Sequence, residues 1–165
     1  MEKNSSITPL LRLYDLHTGL FPNVIAGISE KDAHNRLGTK ANHVAWIAGT
    51  LVHWRCNLAK IAGLPLPTEL QALAEQFKSI QDDVTYPPLA ELNAKWDKIT
   101  PILRPALEGF TEEQLNAAPP QPMKEMGNAT LSEYIGFFNY LESYSIGQIG
   151  LWRRLLGYEA MKYPE

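Results

Sequence analysis

Cysteine occurs once in the 165 residues, at Cys56. A lone cysteine excludes an intramolecular disulfide and fits a reducing compartment. Long hydrophobic runs are missing as well. The longest nearly apolar stretch, Val44 to Val52, carries Gly49 and Thr50 inside its nine residues, and a membrane helix needs about 20. Charge of one sign is not in surplus: 15 Lys and Arg stand against 18 Asp and Glu, for a net charge of −3. The charges are interspersed, so no basic footprint for nucleic acid or an anionic membrane is expected. The opening segment MEKNSSITPLLRLYDL lacks the basic, apolar and small-residue succession of a secretory leader. Phosphate loops, nucleophile elbows and zinc-finger spacings are missing, and no local motif links a serine to a histidine. These absences together lead us to expect a soluble, cytoplasmic protein without nucleic-acid or membrane partners.

Helical periodicity fills the chain, and strand-like alternation is not evident. A first helix is expected over about residues 7–28, on a stripe of Ile7, Leu10, Tyr14, His17, Phe21, Val24 and Ile28, with Pro22 kinking it. Ser29 begins a short capped turn. A second helix, from about Ala41 to Ala62, is apolar over most of its circumference, with Val44, Ile47, Leu51, Leu58 and Ile61 on one flank. Cys56 lies inside it and reads as a buried, inert thiol. Residues 63–87 form a long connection, expected to include a short helix capped by Thr68 and long enough for a functional role.

A third helix starts near Pro88 on the stripe Leu89, Leu92, Trp96, Ile99, Leu103 and Leu107. Pro101 and Pro105 are expected to bend or break it. A fourth opens with the capping-box pattern Thr130–Leu131–Ser132–Glu133 and runs to about Leu156, where Gly157 stops it. No repeat or low-complexity tract divides the chain, and its length suits one domain over residues 1–165. The expected fold class is all-α: an up-down-up-down four-helix bundle with long inter-helix connections.

The fourth helix holds an oddity. Its stripe Tyr134, Phe138, Leu141, Ser145, Gln148, Trp152, Leu155 is interrupted by a small polar residue, Ser145. The segments NHVAWIAGTLVHWR (42–55) and LESYSIGQIGLWRRLLG (141–157), with the loop ISEKDAHNRLGTKA before the second helix, resemble the DinB-like four-helix bundles. Asn42, Trp46 and Gly147–Gln148 carry the resemblance most strongly. In that family the second helix usually supplies one histidine and the fourth a His-x-x-x-His pair, which together hold zinc or nickel. Some members are thiol-dependent transferases or isomerases. The resemblance places those ligand positions at Thr50, Leu141 and Ser145, none of which suits a borderline metal. It therefore implies that the usual metal site is vacated and that no cofactor is held.

A relocated site made from His17, His53 and Glu142 is the sequence's remaining route to a metal. His34 and His43 read as partners for backbone or solvent, and Arg153 and Arg154 as cations at a helix C-terminus. The polar groups Thr50, His53, Glu142, Ser145 and Gln148, with Tyr14, His17, Trp46 and Trp54, are candidates to line one mostly apolar pocket for a small apolar or thiol ligand. The functional expectation is a non-catalytic small-ligand-binding bundle. The alternatives are a structural or interaction homodimer and a metal-dependent thiol transferase on relocated ligands.

Overall fold

The computed structural model describes residues 6–68, 70, 79–81 and 83–164, and the described residues are all-α, with no strand among them. The long helices are α1 (Thr8–Ile25), α3 (Val44–Ile61), α4 (Leu89–Glu108) and α6 (Leu131–Leu155). Two short ones, α2 (Glu30–Ala33) and α5 (Glu112–Asn116), and a 3₁₀ turn at Lys124–Met126 lie between them. The short helix expected at Thr68 falls mostly on residues outside those described.

Local sequence accounts for the helix ends. Ser29 accepts a hydrogen bond from the Asp32 amide to open α2, and Thr130 and Glu133 form the expected capping box of α6. Thr111 and Gln114 build a second capping box at α5. Glycines follow α3 and α6 in the left-handed conformation, at Gly63 (φ 75°) and Gly157 (φ 87°). The first helix ends three residues earlier than expected, at Ile25.

The break expected in the third helix is not observed: α4 runs unbroken through Pro101 and Pro105. Both prolines lie on its exposed face, as do Asp97 and Pro101, whose carbonyls they leave without an amide partner, so water can serve those carbonyls. The opposite face buries Leu92, Trp96, Ile99, Leu103 and Leu107 completely or nearly so. At roughly 1.5–3 kcal/mol for each large apolar side chain, that burial outweighs two lost hydrogen bonds.

Contacts fix the direction of each long helix. Thr18 pairs with Trp96, and Asp15 with Arg104, so α4 runs against α1. Leu10 pairs with Asn139, and Val24 with Arg153, so α6 runs with α1. Ile61 meets Gln121 in the segment that leads to α6, and Trp54 meets Phe138, so α3 runs against α6. His43 meets Tyr86 and Arg55 meets Thr100, which makes α3 and α4 parallel. The sense is up, down, down, up, a correction to the expected alternation. The reason is the connection after Ile61. It must return over the length of α3, about 27 Å at 1.5 Å per residue, before α4 can begin beside α3's start. Contacts then close in a ring, α1 to α4 to α3 to α6 and back to α1, with α1 and α3 diagonal.

Candidate functional site

Two polar places stand out, on opposite sides of α3. The outer one is a cleft of about 310 Å³ lined by Asn42, Trp46, Thr50, His53, Trp54, Ser79 and Ile80. Positions 46, 50, 53 and 54 share one helical face, and Ser79 and Ile80 bring the described end of the long connection over it. Each wall is held from its own helix. The Thr50 hydroxyl donates to the Trp46 carbonyl at 2.9 Å. The Asn57 amide lies 2.9 Å from His53 Nε2, so it donates there and leaves the imidazole proton on Nδ1. The His53 ring packs on Trp54, with centroids 4.8 Å apart, and Trp54 packs on Phe138 of α6 at 5.8 Å. His43, next to Asn42 in the chain, caps α3 by accepting from the Trp46 amide at 3.1 Å. Burial lowers the His43 pKa to about 4, assisted by the charges of His34 and Arg36, so the ring is a neutral acceptor at neutral pH.

The inner place is a charged array in the middle of the core, and its centre is a residue the sequence reading passed over. Arg55 is 0 % exposed, and Glu142 only 2 %. The Arg55 guanidinium donates through Nε to Glu142 Oε1 at 2.8 Å and through Nη2 to Oε2 at 3.2 Å. It also donates to the Thr100 hydroxyl at 2.6 Å and to the Tyr14 carbonyl at 3.2 Å. Its flat faces are covered by the rings of Tyr14 (3.9 Å) and Trp96 (3.4 Å). Burial acts to raise the Glu142 carboxyl pKa, but the Arg55 charge and the bonds from His17 and Arg55 win, so the net shift is downward. Tyr14, whose hydroxyl donates to the Thr100 carbonyl, is pushed up to about 12 by burial, against the pull of Arg55.

His17 extends the array toward the surface. Its Nδ1 lies 3.1 Å from Glu142 Oε2, and its Nε2 lies 2.7 Å from the Ser143 hydroxyl. Ser143 is exposed. A serine, a histidine and a carboxylate thus stand in hydrogen-bonded sequence, although the serine and histidine are 126 positions apart in the chain. Local motifs had offered no such pair.

The nine residues expected to form one pocket are therefore divided. Trp46, Thr50, His53 and Trp54 line the cleft. Tyr14, His17 and Glu142 belong to the inner array. Ser145 is buried and Gln148 half-buried on α6, and neither lines the cleft. The cause is the diagonal placement of α1 and α3: residues of α1 reach α3 through the long Arg55 side chain, not across a shared cavity. The relocated metal trio fails for the same reason. His53 faces the cleft while His17 and Glu142 bond each other inside, and no group of three or more His, Cys, Asp or Glu among the described residues could hold a metal. The positions that the resemblance assigns to metal ligands do not fit one either. Thr50 donates its proton within its own helix, Leu141 offers only hydrocarbon, and Ser145 adds one hydroxyl.

Other sequence expectations find simple places. Cys56 is buried, and desolvation raises its thiol to about 12. Arg153 caps α1 rather than its own helix, donating to the Val24 and Ala26 carbonyls at 3.0 and 2.6 Å. No helix among the described residues is long and apolar enough to cross a membrane. No protein-family model matches the sequence, and no curated protein matches it.

Proposed function

We propose that this chain is a DinB-like four-helix bundle, without the metal chemistry usual in that family, that holds a small amphipathic ligand in the α3 cleft. The observation that carries the reading is the composition of the cleft. Two indoles give an apolar surface, while Thr50, His53 and Asn42 offer a few polar groups to orient a guest. A small-molecule site is commonly mostly apolar with a few converging polar groups, in a volume of roughly 300 Å³ or more. The ligand class is a mono- or bicyclic aromatic carrying one hydrogen-bonding group: the ring lies along the indole-lined side of the cleft, and the polar group meets one of its polar residues.

The resemblance at Asn42, Trp46 and Gly147–Gln148 supports the family assignment. The long return connection suits it as well, since it supplies one wall of the cleft. Titration with indole-3-carboxylate, followed by tryptophan fluorescence and melting temperature, tests the proposal. Saturable quenching that disappears in Trp46→Ala, with a melting temperature that rises with ligand, supports it. Unsaturable quenching, unchanged in Trp46→Ala, rejects it.

A further inference from the structure

The chain from Ser143 through His17 to Glu142 is used neither by the cleft nor by the ligand it would hold. We infer that Ser143 is an activated nucleophile, with His17 as its general base and Glu142 as the positioning carboxylate, and that it accepts an acyl group from small activated esters. The inference does not rest on the cleft reading, which lies on the other side of α3.

Three observations carry it. The first is the hydrogen-bond order. Glu142 is held ionised by Arg55, so it can only accept, and His17 Nδ1 at 3.1 Å must carry the proton. In the neutral ring that leaves the Nε2 lone pair facing the Ser143 hydroxyl at 2.7 Å. The hydroxyl has a second acceptor, the Asn139 carbonyl at 3.0 Å, but a carbonyl cannot take the proton away during attack and an imidazole can.

The second is the gradient of burial along the chain. Glu142 is 2 % and His17 3 % exposed, whereas Ser143 is exposed. The base and its orienting carboxylate are fixed by packing, and only the nucleophile meets solvent and substrate.

The third is an opening beside the hydroxyl. Helical side chains lean toward the N-terminus, so residue 147 would cover the turn that holds residue 143. That residue is glycine, and a Cβ built there meets nothing within 4 Å. Tyr140 and Tyr144 of the same helix are 60 % and 58 % exposed, and their rings stack 6.2 Å apart. They give a short acyl chain an apolar surface next to the nucleophile. Gly147 also belongs to the sequence motif that the cleft left without a role.

The step balances with the ester alone. Ser143 Oγ attacks the carbonyl carbon while its proton passes to His17 Nε2. The bond to the leaving oxygen breaks, and the alcohol or phenol departs with that proton. Water then hydrolyses the seryl ester by the same route, releasing a carboxylic acid and restoring Ser143.

The test uses the full chain with p-nitrophenyl acetate, reading p-nitrophenol release and locating the acetyl group by peptide mass. The expected result is acetylation of Ser143, up to one group per chain in protein quenched early in the reaction. Ser143→Ala, a change at an exposed position, should lose that acetylation and slow release by about a hundredfold, the scale of general-base assistance. Gly147→Leu should fold, because the space is open, and should block acetylation of Ser143 by filling the opening. Acetyl groups on lysine or tyrosine with Ser143 unmodified would overturn the inference. So would release from Ser143→Ala at the parent rate, or undiminished acetylation of a folded Gly147→Leu variant.

Discussion

The Arg55 guanidinium lies flat against the Trp96 ring, 3.4 Å from its centroid, while its Nε donates to Glu142 on the opposite side of the core. One cation thus joins α3 to α4 by a ring face and to α6 by a carboxylate, in a place closed to water. Taking both charges out of water costs several kcal/mol each, so the pair is a poor source of net stability. It is a strong source of specificity, because removing either partner leaves the other charge buried and alone.

Arg55→Leu should therefore destabilise the protein by about 3–5 kcal/mol. Adding Glu142→Leu to it should restore a substantial part of that loss, since no unpaired charge then remains. Urea unfolding of the two singles and the double measures the coupling. Additive losses in the double variant would show that packing around Arg55, not the ion pair, is what matters.

The neutral His43 cap predicts acid sensitivity. Its folded pKa is depressed to about 4 from an ordinary 6.5, so the unfolded chain binds the extra proton first. The stability it contributes is complete above pH about 6.5 and is lost as pH falls toward about 4. Protonation also removes the acceptor for the Trp46 amide, and a lost cap costs about 1 kcal/mol. His43→Asn keeps a capping oxygen without a titrating ring. Its melting temperature should fall less than the parent's between pH 6.5 and 4, and equal falls would remove His43 from the account.

Cys56 should be silent toward thiol reagents in the folded protein. Its thiol is buried and its pKa is about 12, so the thiolate that reacts is scarce and enclosed. Iodoacetamide should label it only at the rate of unfolding, in step with urea. Rapid labelling of native protein would mean that α3 opens locally.

The vacated positions offer a direct check on the family resemblance. Thr50→His, Leu141→His and Ser145→His, made together, should create an affinity for zinc or nickel that the parent lacks. Elemental analysis after dialysis gives the answer. A folded triple variant that retains no metal would show that the helical registers assigned by resemblance are wrong.

Much of the fold was legible because its signals are local. Thr130 with Glu133, Ser29, Gly63 and Gly157 mark helix ends through bonds and backbone angles set within a few residues. The persistence of α4 through two prolines was not legible, since it depends on which face the rings occupy and what the other face buries. Direction was hidden for a related reason: a long connection permits a return crossing but does not announce one.

The candidate site was half visible. Trp46, Thr50 and His53 share a helical face and could be grouped by counting, whereas Tyr14 and His17 could be joined to them only by assuming that facing stripes meet. Arg55 left a trace that went unused. The apolar flank of α3 runs Val44, Ile47, Leu51, Leu58, and the missing step between Leu51 and Leu58 is the arginine. A cation in an inward stripe demands a buried anion, and Glu142, four residues after Phe138 on α6, occupies the matching place. Ser143 left no trace beyond its neighbour, because its partner is 126 positions away.

Each of the other three long helices supplies one part of the shell around Arg55: Tyr14 from α1, Thr100 and Trp96 from α4, Glu142 from α6. An assembly of any three helices would therefore leave that side chain short of a ring, a carbonyl or its counter-charge in a half-dried interior. Partly assembled forms are penalised where they would otherwise gain most from collapse. The chain should consequently fold and unfold as one cooperative unit, with no populated three-helix intermediate.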